Sequence, residues 1–101
     1  MGEFQIILSA QADRDLEQAV RFLAQKSPTA AEKLGYALLD DALSLTNFPG
    51  RGTPVSQRHG YRRIVHRPWF LIYYRIDDSR RTIDIVRIWD ARKNPADFSL
   101  P

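Results

Sequence analysis

Cysteine is missing from the sequence, which excludes disulfides, thiol nucleophiles and thiolate metal ligands. Histidine is scarce: His59 and His66 are too few for a histidine-rich metal site. No apolar run approaches the roughly 20 residues of a membrane-spanning helix, the longest being Trp69 to Tyr74. No charged-then-apolar leader opens the chain, so a cytoplasmic protein with no membrane partner is expected. Repeats, linkers and low-complexity segments are also absent. A chain of 101 residues builds one modest core and not two, so residues 1–101 are read as a single domain.

Acid is the next shortage, and it is local. Residues 1–41 carry seven acids and four bases, net −3, whereas residues 42–101 carry eleven bases and five acids, net +6. Between Asp41 and Asp77 no acid occurs, yet Arg51, Arg58, Arg62, Arg63, Arg67 and Arg75 do. Twelve of the fifteen bases are arginine, whose planar fork suits bidentate contact with phosphate or carboxylate. Solubility alone does not call for so long an acid-free stretch. The C-terminal half is therefore expected to meet something anionic, a nucleic acid or an acidic protein segment.

Periodicity supplies the fold. Phe4 to Leu8 is short and β-branched, a first strand. From Ala12 the period changes: Ala12, Leu16, Ala19, Val20 and Leu23 share a helical face, and Asp13, Asp15 and Glu17 sit where the helix dipole favours acids. Ser27-Pro28 ends this helix and starts a second with a cap and a first-turn proline. Ala31, Leu34, Leu38, Ala42 and Leu45 form its stripe, and Phe48-Pro49-Gly50 is expected to stop it. Residues 50–60, GRGTPVSQRHG, read as a basic loop.

Strands return over residues 61–67 and 69–76, turning at Arg67-Pro68, and over 82–89 after the turn Asp77-Asp78-Ser79-Arg80-Arg81. In the middle one Phe70, Ile72, Tyr74 and Ile76 should face the helices, and Trp69, Leu71, Tyr73 and Arg75 the other way. The last keeps no strict alternation, which predicts a central, two-sided strand or a bulge. The sum is an α+β fold in the order βααβββ: a two-helix hairpin packed on one face of a small, mostly antiparallel sheet.

Signatures of dedicated chemistry are missing: no phosphate-binding glycine loop, no zinc spacing, no serine elbow. The pairs Asp40-Asp41 and Asp77-Asp78 fall on a helix and in a turn, where solvation accounts for them. The informative run is Arg62-Arg63-Ile64-Val65-His66-Arg67. Alternation puts Arg62 and His66 on the face of Ile64, and Arg63 and Arg67 on that of Val65. Arg62 could hold a phosphate while His66 moves a proton, the pairing that RNA cleavage through a 2′-hydroxyl requires. A strand-end histidine hydrogen-bonded to backbone is the plainer account of His66. Tyr61, Trp69, Tyr73 and Trp89 can stack bases or simply pack.

In order and spacing, DLEQAVRFLA, Pro28, LTNFPGRG, YRRIV, WFLIYYRID and TIDIVRIWDARKNP resemble the RelE/ParE superfamily, toxins of bacterial type II toxin–antitoxin and plasmid-stabilisation systems. The resemblance covers nearly the whole chain. It implies the sheet-and-hairpin fold and a toxin neutralised by a cognate antitoxin whose extended and helical acidic segment wraps it, operator DNA being met only through that antitoxin. RelE-type members are ribosome-dependent endonucleases that cut mRNA, whereas ParE-type members act on DNA gyrase. By this resemblance Arg62 takes the basic position that opens the second strand in both branches, and Arg92 the basic residue that contacts phosphate in the nucleases. Leu71 stands where the nucleases place an essential arginine, Phe98 where they often place tyrosine, and Asp90 where many relatives have histidine.

The resulting expectation is a ParE-like toxin that binds a protein target, gyrase being the implied one. Arg62, Arg63, Arg67, Arg92 and Lys93 would make the charged contacts and the hairpin groove would take apolar anchors. An mRNA interferase of the RelE type, with Arg62, His66 and Arg92 as its catalytic group on ribosome-bound mRNA, is the alternative, and a non-toxic basic adaptor domain the third. Asp90 is expected to orient Arg62 or Arg92 by a charge-assisted hydrogen bond. Trp89 should close the sheet, with a basic tail running on from it. Nothing in the sequence calls for a metal or organic cofactor.

Overall fold

The computed structural model describes residues 3–101. It begins with β1, Gln5–Leu8, followed at once by α1, Ala10–Ala24, and α2, Pro28–Leu43. Each helix starts on a serine. Ser9 Oγ accepts from the Ala12 amide at 3.0 Å and Ser27 Oγ from the Ala30 amide at 3.2 Å, satisfying donors that a helix start leaves open. The expected stop at Phe48-Pro49-Gly50 is late, because α2 ends at Leu43 and a 3₁₀ turn over Ser44–Thr46 carries the chain on. Ser44 Oγ donates to the Asp41 carbonyl at 2.6 Å, a local bond that competes with the helical ladder. The tighter turn still delivers Leu45 into the core, where it is fully buried.

The remaining strands are β2, Thr53–Pro54, β3, Tyr61–His66, β4, Phe70–Asp77, and β5, Thr82–Asp90. They form one sheet in the order β1, β5, β4, β3, β2. The strand β2 falls inside the stretch 50–60, which the sequence presents as loop. Its two residues pair with Arg63 and Arg62, too short a run to show any period. Neighbours are antiparallel except β1, which lies parallel to β5 with Gln5 opposite Thr82. The irregular pattern of β5 has both of the predicted causes. The strand is internal, and its register against β4 shifts between Tyr73 and Tyr74, so that Arg87 and Ile85 are paired while Val86 is passed over.

Each sheet face has its own core. Under the helices, Leu38, Leu45, Ile72, Tyr74, Ile83 and Ile85 are fully buried, and Phe70 joins them as the alternation of β4 predicts. On the opposite face Tyr61, Tyr73, Val86 and Trp89 form a second cluster, covered by Val55, Leu71, Phe98 and Leu100. The expected outgoing tail is therefore a correction. Asn94 Oδ1 accepts from the Ala96 amide at 3.0 Å, starting a 3₁₀ turn over Pro95–Asp97, and the chain folds back across the sheet. Phe98 lies with its ring centroid 4.8 Å from that of Tyr73 and 5.0 Å from that of Trp89.

One buried ion pair joins the two sides. Beyond the end of β1, the edge of β5 is taken up by Asp15 of α1, whose Oδ2 accepts from the Ile88 amide at 3.0 Å and from Arg87 Nε at 2.8 Å. Arg87 Nη2 reaches Asp15 Oδ1 at 3.1 Å, and Nη1 donates to the Ser99 carbonyl at 3.0 Å. The dipole role read for Asp15 is replaced by this one, since a carboxylate with both oxygens occupied and only 8% of its surface exposed is a structural anion.

Candidate functional site

Arg62 and His66 project to the helix side of β3, as alternation requires, and both are already engaged. Arg62 Nη1 donates to the carbonyls of Gly52 at 2.7 Å and Gly50 at 3.3 Å. The same short segment is gripped from below by Tyr74, whose hydroxyl donates to the Pro49 carbonyl at 2.7 Å and accepts from the Gly52 amide at 2.9 Å. Burial pushes the Tyr74 phenol upward, so it stays neutral and keeps donating. Glycine is required at position 52 by close approach: a Cβ there would stand 2.5 Å from the Tyr74 hydroxyl.

His66 Nδ1 meets the carboxylate of Asp41 on α2, a side-chain partner where a backbone one was expected. Asp41 is accordingly not a solvated acid. It also lies 3.9 Å from Arg51, which donates to Ser44 Oγ at 2.7 Å. His66 is opposite Phe70 and Phe70 opposite Asp90, so these three sit in one row at the same end of the sheet. Two strand spacings, roughly 10 Å, separate His66 from Asp90. Arg62 is four residues back along β3, about 13 Å.

Asp90 holds Arg92 and not Arg62. Its Oδ1 accepts from Arg92 Nε at 3.0 Å and from the Arg92 amide at 2.9 Å, and its Oδ2 from Nη2 at 2.7 Å. The hydrogen bonds from Arg92 hold the Asp90 carboxyl below the usual carboxylate range, against an opposing effect of burial, and raise the Arg92 guanidinium in turn. That guanidinium stacks over Trp69 at 4.0 Å from the ring centroid. The stacked pair is the one place where an expected stacking aromatic is 39% exposed, since Tyr61, Tyr73 and Trp89 are buried.

Arg63 points to the face away from the helices, Val65 beside it is 57% exposed, and Arg67 is exposed in the turn that follows β3. Arg63 makes only a long 3.4 Å contact to the Tyr73 hydroxyl, and among the described residues neither Arg67 nor Lys93 is in an ion pair. Arg67, Trp69, Arg92 and Lys93 thus share the β3–β4 turn and the chain just past β5 as a basic, partly apolar knuckle, while Arg63 stands apart in mid-strand opposite Tyr73. Elsewhere, a shallow apolar groove of about 260 Å³ runs between the helices, lined by Leu16, Val20, Ala31, Gly35, Tyr36 and Leu39. Exposed Phe22, Tyr36 and Leu43 extend the apolar surface of the hairpin. No helix among the described residues is long and apolar enough to cross a membrane, and no group of metal-ligating side chains occurs among them.

Solved structures place the architecture among toxins of this kind. A chain of the chromosomal ParDE toxin–antitoxin system of P. aeruginosa superposes with a TM-score of 0.75 at 19% identity, covering 90% of this chain and 99% of that one. An E. coli RelE mutant in the free state gives 0.53 at 12% identity, covering 90% and 85%, and both likenesses speak for the fold alone. The RelBE2 toxin–antitoxin complex from Mycobacterium tuberculosis gives 0.65 at 25% identity, covering 87% and 98%. Sequence carries the assignment further. The toxin RelE1 of Caulobacter vibrioides is 34% identical over 91 residues, 85% of this chain and 91% of that protein. Residues 6–95 match the ParE toxin of the type II toxin–antitoxin system parDE, and the chain belongs to that family.

Proposed function

We propose that the chain is the toxin of an antitoxin-paired module that works by binding a protein target, with DNA gyrase the first to test, and not by cutting RNA. The observation that carries this reading is the engagement of the would-be catalytic group. Arg62 is spent on the carbonyls of Gly50 and Gly52, His66 on Asp41, and Arg92 on Asp90, while Leu71 brings no charge and lies on the opposite face from Arg62 and His66. A nuclease needs phosphate-binding and proton-transfer groups converging on one reacting centre, and loss of a single such group commonly costs about 10²-fold in rate. The exposed cations Arg67 and Lys93, in no close ion pair among the described residues and near exposed Val65 and Trp69, suit instead a rim-and-anchor protein contact.

The antitoxin fits the remaining apolar surface. The groove between α1 and α2, with Tyr36 66% exposed at its side, offers seats for an amphipathic helix whose acidic residues would reach the basic C-terminal half. Cytoplasmic action follows from such a target. The placement of His66 and Asp90–Arg92 in one row keeps RelE-type cleavage as the second reading.

Induction of the chain without its antitoxin separates the two. Growth arrest with gyrase-dependent DNA breaks, intact ribosome-bound mRNA, and loss of toxicity on Arg67→Glu/Lys93→Glu is the expected result. Codon-positioned mRNA cuts that disappear with His66→Ala would overturn it, and unimpeded growth at good expression would leave the adaptor reading in its place.

A further inference from the structure

The tail lies on the sheet as a bound peptide would. Residues 91–97 are exposed, whereas residues 98–101 are held by two half-buried side chains, Phe98 and Leu100, and by the main-chain oxygens of three successive residues. The Ser99 carbonyl accepts from Arg87 at 3.0 Å and that of Leu100 from Arg58 at 3.4 Å. A main-chain terminal oxygen of Pro101 accepts from Tyr61 Oη at 2.7 Å and from Arg58. Main-chain oxygens carry no side-chain identity, so this grip asks only for an extended backbone with an aromatic residue and, two positions on, an aliphatic one pointing the same way. The floor beneath is built from Tyr61, Tyr73 and Trp89 beside Arg58 and Arg87, the residue types that dominate hot spots of protein–protein interfaces.

We propose that this face is a peptide-binding groove whose resident ligand is the chain's own residues 98–101, and that an extended segment of another protein, aromatic then aliphatic at alternate positions, takes their place. An aliphatic seat and donors aimed at carbonyls suit a polypeptide, whereas a single-stranded nucleic acid would bring phosphates and a second planar base. The tethered tail competes at the high effective concentration that a short connection confers, on the order of millimolar, so the groove is closed to weak partners and open to good ones. The groove's role is independent of the toxin's target.

The test uses the full-length Phe98→Ala/Leu100→Ala protein and a fluorescein-labelled, C-terminally amidated peptide of residues 94–101. Saturable binding at least ~10-fold tighter than to the wild type is expected, because the wild-type tail competes. A peptide with alanine in place of its phenylalanine should fail to displace the label. A folded double variant that takes up no peptide would overturn the proposal. So would a single-stranded oligonucleotide that displaces the label better than unlabelled peptide does.

Discussion

Tyr73 and Tyr74 are neighbours on β4 and both are buried, but what lies over them differs. Tyr74 is under the helical hairpin, fully enclosed, with its hydroxyl bonded to Pro49 and Gly52. Tyr73 is under the returning tail, its ring against Phe98 and its hydroxyl met only by a long contact from Arg63. The helix side is closed by two regular elements whose stripes fit the sheet, and the other side by a strap of few side chains ringed with arginine. A sheet of this size can be finished on one face and left adjustable on the other, because a single interdigitated core is enough to hold the strands in register.

The largest expected effect comes from cutting the link between the two sides. Asp15→Ala leaves Arg87 buried without its counter-charge and the Ile88 amide unpaired, and should cost about 3–5 kcal/mol in urea unfolding. Because Arg87 also holds Ser99, the loss should appear in Trp89 emission from the tail side as well as in helical circular dichroism.

Adjacent residues on β4 then measure the two sides directly. Ile72→Ala, on the enclosed side, should cost about 2–5 kcal/mol. Leu71→Ala, half-buried under the strap, should cost about 1 kcal/mol. Equal costs would erase the distinction. The tyrosines sharpen it: Tyr74→Phe strands the Pro49 carbonyl and Gly52 amide and should cost about 1–3 kcal/mol, whereas Tyr73→Phe should stay within about 0.5 kcal/mol.

The smallest effect is one of pH at the knuckle. The Asp90 carboxyl is held below its ordinary value of about 3.9, so its pairing with Arg92 is complete above that value. The contribution is lost as pH falls through the depressed value of the folded state. Acid titration followed by NMR at Arg92 Nε should show the guanidinium released from Asp90 in that window, with no change between neutral pH and about 5.

Much of this was legible in the sequence. The stripes of both helices, the alternation of β4 and the irregularity of β5 each carried enough residues for a period to show. What escaped was short or paired at long range. The two residues of β2 hold no period, and α2 ended early through a serine side chain instead of the proline five residues on. Asp15 and Arg87 did leave a trace. Asp15 falls on the apolar stripe, three residues after Ala12 and four before Ala19, and Arg87 interrupts the apolar run of β5. Two unlike charges on two buried faces predict each other, since neither can be buried alone. The tail gave no such signal, because Phe98 and Leu100 are too few to declare a direction. Of the proposed site, sequence placed the basic cluster, but not that Arg62 and His66 would be engaged from the helix side.

The parallel pairing of β1 with β5 also fixes when folding can be completed. Gln5 has no strand partner until Thr82 exists, and α1 packs on β5, so early in synthesis the first strand and both helices wait with their apolar sides uncovered. The hairpins β3–β4 and β4–β5 are local and can form as they emerge, but the hairpin of helices has nothing to rest on until they do. A chain cut short before residue 82 therefore lacks the strand that joins β1 to β4 and cannot assemble either face of the sheet.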